Sequence, residues 1–185
     1  MARRTSATSL IALIRGVNVG GKMLSMERLR EALAGRGFEN ARTYIQSGNV
    51  IFQARGTAES IAKKVETLIL EEFDLPVSVL VRTSAEMQRV VRCNPFLGEP
   101  GIDETRLHVT FLASAPSRAA IASLAAIPAG ADQFRHAGKE IYLYCPNGYG
   151  KTKLSNNVIE KVLATRATTR NWNSIRKLNE MAREG

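Results

Sequence analysis

The chain has 185 residues, 44% of them hydrophobic and 23% charged, and a formal net charge of +9. That length supplies one ordinary domain or two small subdomains, able to bury roughly 70% of the unfolded surface without disulfide staples, and the composition is that of a globular protein. The two cysteines, Cys93 and Cys145, lack CxxC spacing, which excludes a disulfide framework and fits a reducing cytoplasm; the apolar stretch after MARRTSATS is too short for a secretory signal, and no later run is long enough to span a membrane.

In chain order, residues 10–14 are apolar at every position and predict a strand covered on both faces. Ser25 predicts an N-cap for a helix with Met26, Leu29 and Leu33 on one stripe, ended by Gly35 and Gly37. Residues 41–46 and 49–53 predict an antiparallel pair about a two-residue turn, Ser47-Gly48. A helix from Thr57 buries Ile61, Val65, Leu68 and Ile69, and residues 77–81 form the next strand. Thr83 with Glu86 is a capping box for a linking helix carrying Met87, Val90 and Val91, which stops near Asn94-Pro95 because the residue before proline avoids the helical region.

The order then recurs. Residues 106–112 predict a strand and 115–124 a helix starting at Pro116. Strands at 133–136 and 140–144 pair about Ala137-Gly138. A helix at 155–163, a strand at 166–169 and a last helix from Asn171, with Trp172, Ile175, Leu178 and Met181 inward, complete the chain. The expectation is an α+β fold of two tandem ferredoxin-like (β-α-β-β-α-β) halves. One half spans 1–83, a linking helix and loop 84–104, and the second half with its C-terminal helix 105–185. No letter-by-letter repeat accompanies this duplication of element order.

Topology places the polar motifs. In a split β-α-β unit the first and second strands run parallel, so the segment after the first strand and the turn after the second share one end. This brings Arg15, Asn18, Gly20, Gly21 and Lys22 of RGVNVGGK towards Gln46, Ser47 and Asn49. In the second half the same rule brings Lys151 and Lys153 of PNGYGKTK towards Arg170, Asn171 and the indole edge of Trp172. Glycine-freed backbone N–H groups form anion nests, Arg and Lys add charge, and a helix start at Asn171 adds its positive end. The bland alternative is tight turns, with glycine for positive φ and Asn and Ser for turn hydrogen bonds. From Lys139 onward nine basic residues face four acidic ones, an excess that favours polyanions or simply keeps the surface soluble.

Residues 16–22 spell G-x-x-x-x-G-K, but Met23 stands where a P-loop needs Ser or Thr. The later strand ends in Arg82-Thr83, where an acidic metal holder belongs. No nucleoside-triphosphate hydrolysis follows, and a bare anion loop is what remains. GYGKT at 148–152 has Cys145 in place of the first glycine. His108 and His136 have no Cys or carboxylate at metal spacing, so no metal site and no cofactor are expected. Cys93 with His108, or Cys145 with His136, stays open as a nucleophilic pair, against the commoner role of cysteine as a small buried hydrophobe. Tyr44, Arg42, Gln46 and Phe52 sit on neighbouring strands, but the aromatic strand pattern of RNA-recognition sheets is absent.

RGVNVGGK, RTYIQSGNVIF, Asn94-Pro95-Phe96, LHVTFL and above all ATTRNWNSIRKL resemble the signature segments of a widespread bacterial family, domain-of-unknown-function family 1697, from about residue 10 to 178. Ser174 stands where that family usually has Thr. The resemblance implies a small bacterial cytoplasmic α+β protein with no established reaction and no catalytic residues to carry over.

The first functional expectation is binding of a phosphate-bearing anionic ligand, nucleic acid or nucleotide, through Arg15, Lys22, Lys151, Lys153 and Arg170, oriented by Asn18, Asn49 and Asn171. The alternative is a metal-independent enzyme on a small anionic substrate in a cleft between the halves. A third reading is an assembly module, a homo-oligomer pairing exposed faces. No membrane partner is expected.

Overall fold

The computed structural model describes residues 8–18 and 23–184. In the first half, strand β1 (Thr8–Arg15) leads to helix α1 (Met26–Gly35), β2 (Glu39–Tyr44), β3 (Asn49–Ala54), α2 (Ala58–Phe73) and β4 (Ser78–Thr83). Helix α3 (Ser84–Arg92) follows. The second half comprises β5 (Leu107–Leu112), α4 (Arg118–Ala125), β6 (Gln133–Ala137), β7 (Glu140–Tyr144), α5 (Asn156–Leu163) and β8 (Ala167–Asn171), and then α6 (Trp172–Arg183). The sheets run β2-β3-β1-β4 and β6-β7-β5-β8, antiparallel at each pairing. This is an α+β fold of two tandem ferredoxin-like halves with a C-terminal helix. The chain divides into two compact units, Met1–Arg89 with Lys177–Gly185, and Val90–Arg176, so the divisions fall inside α3 and α6.

Unit 1 is built on alternation. Leu10, Ala12 and Ile14 of β1 share a face with Val50, Phe52, Val79 and Val81, and pack on Leu29 and Leu33 of α1 and Ile61, Val65 and Leu68 of α2. Each Val, Leu, Ile or Phe side chain so taken from water stabilises by about 1.5–3 kcal/mol. Ile11, Leu13, Ile51 and Leu80 are buried on the opposite face, which explains why β1 is apolar throughout. The last turn of α6 is bound on this side: Ser9 Oγ and Ser84 Oγ donate to the Ala182 carbonyl (3.1 and 3.4 Å), and the Arg42 guanidinium donates to that of Met181. Phe52 lies on the helix-covered face and Tyr44, beside Arg42, on the other, so they form no common stacking platform.

In unit 2, Leu112, Ile141, Leu143, Cys145 and Ala167 pack on Leu124 of α4 and Ile159 and Leu163 of α5. Leu107, Val109, Phe111 and Tyr142 are buried on the reverse face. Segment 95–101 is tied to that face. The Arg135 guanidinium pairs with Glu99, donates to the Pro95 carbonyl and lies 4.3 Å from the centre of the Phe96 ring. Tyr144 donates to the Gly101 carbonyl at 3.3 Å.

The local signals act largely as expected. Ser25 accepts from the Arg28 N–H and Thr57 from that of Ser60. Thr83 and Glu86 exchange both bonds of a capping box, Thr83 N to Glu86 Oε2 at 2.8 Å and Glu86 N to Thr83 Oγ1 at 3.1 Å. Three details differ. The β2–β3 turn has four residues, Ile45 to Gly48, between paired Tyr44 and Asn49. The β6–β7 turn is Gly138-Lys139, because the position needing positive φ falls on Gly138 (φ 62°). Helix α4 begins at Arg118 rather than at Pro116, capped by the Ser117 hydroxyl, which accepts from the Ala120 N–H.

Candidate functional site

The first rim lies where β1 and β2 end. Gly16 (φ 70°) and Asn18 (φ 56°) turn the chain back over the sheet, with Val17 buried between them. Asn18 is the clamp. Its Nδ2 donates to the carbonyls of Gln46 (2.7 Å) and Leu24 (3.0 Å), and its Oδ1 accepts from the Leu24 N–H (2.7 Å). The Ile14 N–H donates to the Gly48 carbonyl at 2.8 Å. Asn49 Nδ2 donates to the Tyr44 carbonyl and to Ser47 Oγ. These claims on the turn's polar groups lengthen it beyond two residues, and Ile45 takes a left-handed conformation (φ 48°) with its side chain exposed.

The segment after the first strand and the β2–β3 turn therefore meet as topology requires. Arg15 is half-buried opposite Ser78, and Gln46 is exposed. Gly20, Gly21 and Lys22 lie outside the described residues. Helix α1 starts at Met26 after its Ser25 cap, four residues beyond the place a P-loop lysine requires. Sequence reasoning missed that exposed apolar side chains, Met23 and Ile45, flank this rim.

The second rim gathers around Thr169. Tyr149 OH donates to Thr169 Oγ1 (3.0 Å), Thr169 Oγ1 donates to Asn156 Oδ1 (2.7 Å), and the Thr110 hydroxyl lies 2.7 Å from Thr169. The His108 ring stacks on Tyr149 with centroids 4.9 Å apart. His108 Nδ1 is 3.1 Å from the Arg106 carbonyl, an acceptor only, so Nδ1 carries a proton. Burial pushes the His108 pKa below its ordinary 6.5, against the pull of that hydrogen bond. The PNGYGKTK and TTRNWN segments thus meet through Tyr149 and Thr169.

The residues first expected there take different positions. Lys151 and Lys153 are exposed. Arg170 is 9% exposed, on the face opposite Thr169, and its Nη1 donates to Thr168 Oγ1 (2.8 Å) and the Thr169 carbonyl (2.9 Å). Burial lowers its pKa to about 10, partly offset by Tyr149, so it stays cationic at neutral pH. Asn171 Oδ1 accepts from the Ser174 N–H at 2.8 Å, capping α6. Trp172 is 2% exposed and belongs to the core; its Nε1 has no hydrogen-bond partner among the described residues.

Residues 7–142 match the family described as protein of unknown function (DUF1697). The chain belongs to that family. The matched stretch includes RGVNVGGK, RTYIQSGNVIF, Asn-Pro-Phe and LHVTFL, while TTRNWN lies beyond its end. The conserved bacterial protein SP0830 from Streptococcus pneumoniae has a similar structure, with a TM-score of 0.77 and 21% identity over 96% of this chain and 99% of that one. This likeness establishes the fold. No curated protein matches the chain.

In this DUF1697 protein, the described residues contain no group of three or more His, Cys, Asp or Glu placed to hold a metal ion. No helix among them is long and apolar enough to cross a membrane. Cys145 sits in the unit 2 core, where burial raises its thiol pKa to about 11 and holds it protonated at neutral pH. Cys93 is exposed. His136 is exposed, with Nε2 2.9 Å from the Gly138 carbonyl.

Proposed function

We propose that this DUF1697 protein binds a phosphate-bearing anionic ligand, nucleic acid or nucleotide, at its polar rims. The observation that carries the reading is the Asn18 clamp, which ties the end of the segment after β1 to the β2–β3 turn through the Gln46 carbonyl. With Asn18 and Leu24 held to each other in advance, less freedom is lost there when a ligand arrives. Arg15 and Lys22 supply charge on the first rim, Gly20 and Gly21 supply backbone N–H groups, and the exposed Gln46 side chain supplies an amide. Lys151 and Lys153 supply charge on the second. Asn18, Ser47, Asn49 and Asn171 act by shaping the loops, and the buried Arg170 by holding β8 in place. The net charge of +9 supports a polyanionic partner.

Fluorescence anisotropy with single-stranded RNA, titrated between about 50 and 200 mM salt, tests the proposal, because each phosphate contact releases counterions. The expected result is steeply salt-dependent affinity. Arg15→Ala and the Lys151→Ala/Lys153→Ala pair should each shallow the slope, by about one unit per lost contact. A flat salt response removes the nucleic-acid reading.

A further inference from the structure

A different feature of unit 1 lies at the other end of β2 and β3. Two neighbouring hollows, of about 480 and 320 Å³, share Arg36, Phe38 and Lys64 in their walls. The first adds Ser60, Lys63, Thr67 and Leu68, and the second adds Arg55 and Glu39 among others. Both volumes fall in the range of roughly 300–1,000 Å³ typical of small-molecule sites.

The sequence builds this groove locally. Helix α2 buries Ile61, Val65 and Leu68, so the same helical period puts Ser60, Lys63, Lys64 and Thr67 together on another stripe. Gly56 (φ 138°) lets the chain turn from Arg55 into the Thr57 cap; a Cβ there would meet Ser60 Oγ at 2.9 Å. Arg36 ends α1, and Phe38 packs edge-on against Phe52 with centroids 4.8 Å apart.

The charge arrangement is lopsided. Arg36 is held by Glu71 and Glu72 at 2.8 and 3.3 Å, both through Nη2, leaving Nε and Nη1 of its guanidinium without partners among the described residues. The side chains of Arg55, Lys63 and Lys64 have no ion-pair or hydrogen-bond partner among those residues. Glu39 is the carboxylate in the walls, and Glu71 and Glu72 offset Arg36 from outside them, so the excess of positive charge comes from Arg55, Lys63 and Lys64. Like charges gathered around a hollow favour an anion inside it, and Phe38 and Leu68 beside them supply an apolar wall.

We infer that this groove is a binding site for a phosphomonoester carrying a compact apolar or aromatic body. The phosphate sits against Arg55, Arg36 and Lys64, and the body lies along Phe38, Leu68 and the Lys63 stem. The site is separate from the rims, and the Arg55 and Lys64 substitutions distinguish binding here from binding there.

The test is isothermal titration of the full chain with adenosine 5′-monophosphate, adenosine and inorganic phosphate. The expected result is a saturable site for the nucleotide that depends on Arg55 and Lys64, with both fragments at least tenfold weaker. The exposed pair Arg55→Ala/Lys64→Ala should weaken nucleotide binding at least tenfold, since charge-assisted hydrogen bonds are lost, with an unchanged urea midpoint. Lys161→Ala, on α5 of the other unit, should leave binding unchanged. No saturable binding at millimolar nucleotide, binding untouched by the pair, or either fragment binding as tightly as the nucleotide overturns the inference.

Discussion

At Gly48 a single hydrogen atom in place of a side chain holds the first rim closed. A Cβ there would meet Val17 Cγ2 at 2.6 Å and the Ile14 carbonyl at 2.8 Å, and the backbone is left-handed at φ 73°. Gly48→Ala is expected to destabilise by about 3 kcal/mol, combining conformational strain with overpacking, as read from urea unfolding. His108 carries the second residue-scale expectation. Its folded pKa lies below 6.5, so the unfolded chain binds more protons in the window between the two values. Its contribution therefore favours the folded state above about pH 6.5 and turns unfavourable as pH falls through that window. His108→Gln should flatten the dependence of the urea midpoint on pH between about 5 and 7. Equal pH slopes for both proteins would reject this account.

At the scale of elements, caps decide where helices start, and most were legible because they are local. Ser25, Thr57 and the Thr83–Glu86 box each place a side-chain oxygen within three residues of the N–H it satisfies. The β2–β3 turn was not legible, because its length depends on Asn18, 28 residues away, claiming the Gln46 carbonyl. Asn171 shows how a residue read as a ligand contact also has a structural task. It caps α6 through the Ser174 N–H, so Asn171→Ala should cost about 1 kcal/mol in chemical denaturation even without ligand. An unchanged midpoint would leave the cap without weight. The stripe Ser60, Lys63, Lys64 and Thr67 was present in the spacing. The groove beside it was hidden because Arg36 and Phe38 come from the α1–β2 connection and Arg55 from the end of β3.

For the whole molecule, element order was legible because hydrophobic period changes from two to 3.6 at each strand–helix junction. Order in turn fixed which loops share an end, so Asn18 reaching Gln46 and Tyr149 reaching Thr169 follow from topology. The exact partners at each end were not legible. Arg170 and Thr169 are adjacent in sequence, yet alternation sends them to opposite faces of β8. Unit 1, too, is not contiguous: it combines Met1–Arg89 with Lys177–Gly185, whose last helical turn binds Ser9, Arg42 and Ser84. During translation this separation becomes a delay. The ribosome completes the first part of unit 1 at Arg89, and 87 residues of the other unit follow before its second part begins, roughly 4–17 s at ordinary elongation rates. In that interval Ile11, Leu13, Ile51 and Leu80 lack the neighbouring turn that closes beside them, and the nascent chain offers a holding chaperone an apolar surface to shield.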